Sequence, residues 1–190
     1  MNGLTRRLTI GVMGSAGDVL PQGDKQRLGS AVEALASAIA KGGHALVTGA
    51  TTGLPDLVAR AVTASGGLTI GISPAENREE HVKQYGLPGQ SSEVIIYSGF
   101  GLKGRNVINI RSSDIVLIIN GGMGTLNEFT IAYDEGKVIG VLRGSGGVAD
   151  ALEGIIAVAG KPTRACVLFD ENPEALLDSC VTAFRARQNL

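Results

Sequence analysis

The chain has no tryptophan, and aromatic residues make up only 4% of its 190 positions. Stacking platforms of the kind that hold single-stranded nucleic acid are therefore not provided for. An excess of one charge is also missing. Seventeen Lys and Arg stand against 18 Asp and Glu, for a net charge of −1. This removes the basic footprint of a DNA- or RNA-binding protein and any polybasic approach to a membrane surface. No apolar run approaches the roughly 20 residues that span a bilayer. The start, Met1 to Arg7, leads into a short strand instead of a signal-peptide core, so a cytoplasmic location is expected. Two histidines, His44 and His81, stand far apart. A histidine-based zinc site or a catalytic triad thus lacks its parts, and no metal ligands are expected. Cys166 and Cys180 lie in apolar settings without metal-ligand spacing and read as small core side chains of a reduced protein.

What is present is an alternation. Short β-branched runs fall at 8–13, 45–48, 68–72, 94–97, 114–119, 138–142 and 165–169. Segments of helical spacing separate them, such as Leu28, Val32, Leu35 and Ile39 along one face. Strands apolar on both faces between amphipathic helices predict a parallel sheet covered on both sides. The expected fold is α/β, a doubly wound Rossmann-like domain with a mostly parallel sheet of about seven strands, one domain over 1–190.

Glycine collects after the strands. Strand one runs out into Gly14-Ser15, and strand two into a loop holding Gly49 and Gly53. Strand five leads into Gly121-Gly122-Met123-Gly124-Thr125, and strand six into the turn up to Gly147. In a parallel sheet all these loops share one edge, where such folds bind ligands. The turn at 121–125 frees backbone N–H groups, and the helix after it points its positive end at the same place. A phosphate-bearing small molecule, nucleotide or phosphorylated cofactor, is the expected partner. Thr125-x-x-Glu128 also fits a capping box that only starts a helix. The G-x-G-x-x-G pattern is absent after strand one, and no acidic residue closes strand two, which disfavours a nicotinamide dehydrogenase. Arg105, following Gly104, is expected at the rim of the pocket, where its guanidinium can fork onto phosphate. Glu128 is the acid nearest the glycine turn. Arg111 reads as a packing or surface ion-pair residue.

Gly121-Gly-Met-Gly-Thr-Leu-Asn-Glu128 resembles the G-G-x-G-T-x-x-E motif of the Lonely Guy (LOG) family, long labelled lysine decarboxylases. No lysine here stands in a setting for a pyridoxal phosphate Schiff base. The similarity in motif order runs over roughly residues 8 to 145. It implies a Rossmann-like homodimer or higher homo-oligomer that splits nucleoside 5′-monophosphates into free base and ribose 5-phosphate. The substrate would be AMP or an N6-substituted AMP, with no cofactor. It also implies that Arg105 and Glu128 form the catalytic pair. Three positions depart from the family pattern: Asn106 replaces Lys, Asn120 replaces Pro, and Thr48-Gly49-Ala50 replaces a triple glycine. The stretch from Gly104 to Asp114 is similar to a neighbouring branch, the molybdenum-cofactor carrier proteins. That branch implies a bound molybdenum cofactor and no catalysis. Both readings stay open at this point, as does a non-catalytic sensor of a nucleotide.

Two further expectations concern surfaces. The polar stretch 73–92 is long for a compact domain and predicts a mobile flap whose Arg78, His81 or Tyr85 reaches the ligand. The alternative is a solvated excursion in which Glu79 and Lys83 support one helical turn. The helix carrying Phe129, Ile131, Ala132 and Tyr133 is more apolar than one sheet face needs, which favours an oligomer. The same residues at helical spacing equally fit simple packing on the sheet.

Overall fold

The computed structural model describes residues 7–17 and 22–188. Among them strands and helices alternate. β1 (Thr9–Gly14), α1 (Gln22–Lys41), β2 (Ala45–Thr48), α2 (Leu54–Ala64), β3 (Leu68–Ser73), α3 (Arg78–Lys83) and β4 (Val94–Tyr97) form the first half. α4 (Gly101–Arg111), β5 (Ile115–Ile119), α5 (Met123–Asp134), β6 (Val138–Leu142), α6 (Gly147–Ala159), β7 (Cys166–Asp170) and α7 (Pro173–Gln188) form the second. The strands make one sheet in the order β4-β3-β2-β1-β5-β6-β7, and every pairing is parallel. The chain walks outward from β1 to β4, then returns to lay β5 beside β1. The direction of winding therefore reverses between β1 and β5, and a crevice opens there at the carboxyl ends of the strands.

Two apolar layers hold the sheet. Ile10, Val12, Ile115 and Leu117 point to one face, under Leu35, Leu54, Val58 and Leu177 of α1, α2 and α7. Met13, Val116, Ile118 and Val141 point to the other, under Ile110, Phe129, Ala132 and Leu152 of α4, α5 and α6. On β6 a glycine, Gly140, replaces the expected β-branched residue because α7 lies directly on it. A Cβ there would sit 2.6 Å from Leu117 Cδ2 and 2.8 Å from Cys180 Sγ. We expect Gly140→Ala to destabilise by about 1–3 kcal/mol through overpacking, read by chemical denaturation. An unchanged midpoint would show that α7 moves freely on the sheet. Cys180 is buried and its thiol is pushed up to about 12, first by burial and then by nearby Cys166.

One expectation is corrected here, and of the two readings of the helix with Phe129 the packing one is found. The sheet is not covered on both sides throughout: at the edge, Val94 and Ile96 of β4 are about half exposed (46% and 49%) on the same face. The helix with Phe129 buries Phe129 and Ala132 against the sheet, and the Phe129 and Tyr133 rings pack at 5.7 Å. Its apolar residues are thus explained by packing within the chain.

The stretch 73–92 lines no part of the crevice. It folds around His81, which has no exposed surface. The ring Nε2 lies 3.2 Å from the Pro88 carbonyl, an acceptor only, so Nε2 donates and Nδ1 accepts from Ser73 Oγ at 2.8 Å. Asn77 caps α3 by accepting the Glu80 N–H at 3.0 Å, and Lys83 pairs with Glu79 at 3.0 Å. None of Arg78, His81 and Tyr85 lines the crevice.

Candidate active site

The crevice between β1 and β5 is a cleft of about 660 Å³. Of the residues singled out in the sequence, Gly14, Ser15, Gly49, Arg105, Gly121, Gly122, Gly124, Thr125 and Glu128 line it. Gly53 and Met123 do not. Met123 is the first residue of α5, and its side chain is 78% exposed. Gly53 acts from behind: at φ 81° it lets the Leu54 N–H reach the Ser15 carbonyl at 2.9 Å. A Cβ at Gly53 would collide with that same carbonyl. Gly53→Ala is therefore expected to cost on the order of 2–4 kcal/mol, from the left-handed backbone and the clash together. A thermal shift of less than a degree would show that the β1 and β2 loops are not tied in this way.

Arg105 is not at the rim. It sits in the second turn of α4, only 5% exposed, and its guanidinium lies in the space that a Cβ on Gly49 would take. Its Nη1 is 3.4 Å from Glu128 Oε1, and its Nε is buried without a partner. Glu128 is 7% exposed. Asn109, one helical turn after Arg105 and fully buried, donates from Nδ2 to Glu128 Oε1 at 3.4 Å and to Met13 Sδ at 3.2 Å. Burial pushes the Glu128 carboxyl up, opposed by the Arg105 charge, the Asn109 hydrogen bond and, more remotely, Lys103. Burial pulls the Arg105 guanidinium down, opposed by Glu128. Two opposite charges are thus held out of water at long contact, with donors to spare. An arrangement of this kind costs stability unless something else completes it.

The capping box does not exist as read. α5 starts two residues before Thr125, Gly122 is its N-cap, and no side chain caps it. Thr125 and Glu128 are instead buried side chains of the first turns that face the cleft. The first N–H groups of α5 are left for a guest, and the space beside Gly122 and Gly124 is open. Asp114, Asp134 and Glu135, outside the cleft, have structural partners: Arg111 pairs with Glu135 at 2.7 Å, Lys161 with Asp134 at 2.6 Å, and Thr9 donates to Asp114. Among the described residues no cluster of His, Cys, Asp and Glu is built to hold a metal ion. No helix of the described residues is long and apolar enough to cross a membrane.

Sequence reasoning missed Asn109, although its i+4 spacing from Arg105 placed it on the same helix face. It also passed over Lys103, at the cleft wall, and Ser145, which binds the backbone of Asn120. Two of the departures from the family pattern carry a signature. Ala50 (φ 51°) and Asn120 (φ 56°) are the non-glycine residues with left-handed backbone among those described.

Known proteins share this architecture. A 105-residue stretch is 32% identical to an uncharacterized protein of Archaeoglobus fulgidus, spanning 55% of this chain and 64% of that one. The chain thus covers less than two thirds of this curated relative. The solved structure of TM1055 superposes with a TM-score of 0.79 at 24% identity, over 92% of this chain and 99% of that one. The molybdenum cofactor binding protein of Rippkaea orientalis superposes with a TM-score of 0.75 at 26% identity, over 95% and 99%. The fold extends to DNA processing protein A of Helicobacter pylori, solved for its single-stranded DNA binding mode, at a TM-score of 0.57 and 19% identity. The fold alone therefore does not exclude nucleic acid. Residues 7–177 match the SLOG cluster4 family, and the chain belongs to that family, within the superfamily that includes the LOG proteins.

Proposed function

We propose that the cleft binds a nucleoside 5′-monophosphate, AMP or an N6-substituted AMP, and hydrolyses its N-glycosidic bond. The observation that carries this reading is the buried Arg105–Glu128 pair beside an anion-ready helix start. A protein that only stores a ligand needs the anion site, whereas a desolvated and incompletely paired Arg and Glu is a cost that chemistry would justify. The N–H groups at 122–125, with the Thr125 hydroxyl, hold the 5′-phosphate. Arg105 orients the substrate. Glu128 holds the ribose hydroxyls and steadies the positive charge that grows at the anomeric carbon as the base leaves. Water bonds to that carbon as its bond to nitrogen breaks; one proton of the water is given up and the departing base leaves with one in its place.

A second reading is favoured by one observation, the 26% identity to a molybdenum cofactor binding protein over 95% of this chain. The residues present fit such cargo at its phosphate end, through the same 122–125 turn, with Arg105 and Lys103 facing further negative charge. Cys166 and Cys180 lie away from the cleft, so its metal end finds no thiolate there. One panel separates the readings. AMP and N6-substituted AMPs are incubated with the protein and assayed for free base, and the same ligands and molybdopterin are scored by thermal shift. A ligand at about 100 times its Kd adds about 2.7 kcal/mol. Free base from any nucleotide supports hydrolysis. Stabilisation by molybdopterin with no turnover overturns it in favour of the carrier.

A homo-oligomer, a dimer or larger, belongs to the same proposal. Its support is the open face of β4 together with Phe100 and Leu102, which are 69% and 50% exposed in the segment that follows β4. A monomeric mass by light scattering at micromolar concentration would refute it.

A further inference from the structure

Asn120 stands where the chain leaves β5, 8% exposed and in the left-handed region, which asparagine tolerates better than most residues that carry a side chain. All four of its polar atoms are engaged. Its N–H donates to Ser145 Oγ and its Nδ2 to the Ser145 carbonyl, each at 2.8 Å. Its Oδ1 accepts from Ser15 Oγ at 2.5 Å and from the Gly121 N–H at 2.6 Å. Its carbonyl accepts from the Ala149 N–H at 3.1 Å. One residue thus joins the loops after β1, β5 and β6 to the start of α6. The neighbouring glycines make room for it: a Cβ on Gly146 would lie 3.0 Å from Asn120 Nδ2, and one on Gly147 would lie 2.9 Å from Oδ1.

The same bonds bear on the ligand. The Gly121 N–H already has two acceptors, Asn120 Oδ1 and, at 3.1 Å, Ser15 Oγ. The Gly121 carbonyl accepts from the Val148 N–H at 2.8 Å. Both backbone groups of Gly121 are therefore satisfied within the chain, while Gly122 and Gly124 border open space. We propose that Asn120 is a positioning residue. It clamps the three loops into the shape of the anion site and withdraws the Gly121 N–H from the ligand, so that a phosphate is met from Gly122 onward. The ligand half of this statement rests on the phosphate reading above; the structural half does not.

The alternatives at this position sort the idea. Proline cannot adopt the observed φ. Glycine keeps the backbone but loses the side-chain bonds. Aspartate keeps the acceptor for Ser15 and Gly121, but its second oxygen faces the Ser145 carbonyl across the same short gap. Protonating that oxygen turns it back into a donor. The charged groups around it are Asp150 on α6, whose carboxylate takes the Gly146 N–H at 3.0 Å, and Arg105, Lys103 and Glu128 around the cleft.

The test is amide exchange and chemical shift mapping by NMR on the full chain, with AMP as the probe. In the wild type, AMP is expected to shift the amides of 122–125 more than that of Gly121. In Asn120→Gly, the Gly121 and Val148 amides are expected to exchange at least about tenfold faster after correction for intrinsic rates. AMP affinity should fall about tenfold. Asn120→Asp should show fast exchange at neutral pH and recover protection as the pH falls through its carboxyl, which Asn120→Gly cannot do. Unchanged exchange at Gly121 and Val148 in Asn120→Gly overturns the proposal. So does a wild-type protein in which AMP moves the Gly121 amide most. A wild type that ignores AMP counts against the phosphate reading instead, and the exchange rates still judge the clamp.

Discussion

Glu128→Gln is expected to slow the release of free base from AMP at least about a hundredfold. Glutamine has the size of glutamate and can still accept from Asn109, so the packing that buries residue 128 is kept. What is removed is the negative charge facing the developing cation. The same variant carries a stability signature whose sign follows from burial. The Glu128 carboxyl is pushed above its ordinary 4.5 in the folded state. Between that ordinary value and the raised one, the folded chain holds a proton that the unfolded chain has released. Wild-type stability therefore falls as the pH rises through this window, and the contribution is restored as the pH falls below it. Glutamine has no such proton, so the stability of Glu128→Gln relative to wild type should rise with pH across the same range. Denaturation curves at several pH values from 4 upward measure this. A wild-type turnover rate in the variant would remove Glu128 from the chemistry. A flat stability difference would mean that the carboxyl ionises as it does in water.

Gly49→Ala is expected to lower turnover on the order of a hundredfold with a stability change within about 1 kcal/mol. The added Cβ meets the far end of the Arg105 side chain and not backbone. The guanidinium can swing away, which preserves the fold but takes the charge off its mark. Arg105→Ala should lose as much. Combining the two should lose little more, because both remove the same interaction. Additive losses, or a Gly49→Ala protein of wild-type activity, would show that Arg105 does not act from the position it holds against Gly49. Gly53→Ala differs: that Cβ meets a carbonyl that cannot swing, so the loss there is one of folding.

The strands were the legible part. Each run read from the sequence agrees with an observed strand to within a residue at either end, because a strand buried on both faces must be continuously apolar. β4 misled for the same reason: Val94 and Ile96 are as apolar as a covered strand while lying open at the edge. The start of α5 was not legible, because Gly122-Met123-Gly124 carries no capping side chain and reads as loop. The depth of Arg105 depends on Gly49, over fifty residues earlier, and no local pattern reports such a contact. His81 looked like a polar loop residue because its partners, Ser73 and Pro88, announce nothing about burial. The catalytic candidates came from the motif, and the clamp at Asn120 was visible only as a departure from it.

Ser15 and Asn120 touch although they stand 105 positions apart in the chain. Closing so long a loop costs about 4 kcal/mol beyond its constant part. Neither half of the chain alone can close the cleft, since its two walls meet only when β5 docks on β1. Competence should therefore arrive in a single late step of folding. A nick or a permuted terminus in the exposed turn between α2 and β3, at Ser65-Gly66, should leave the cleft intact, provided that one contact between distant strands survives.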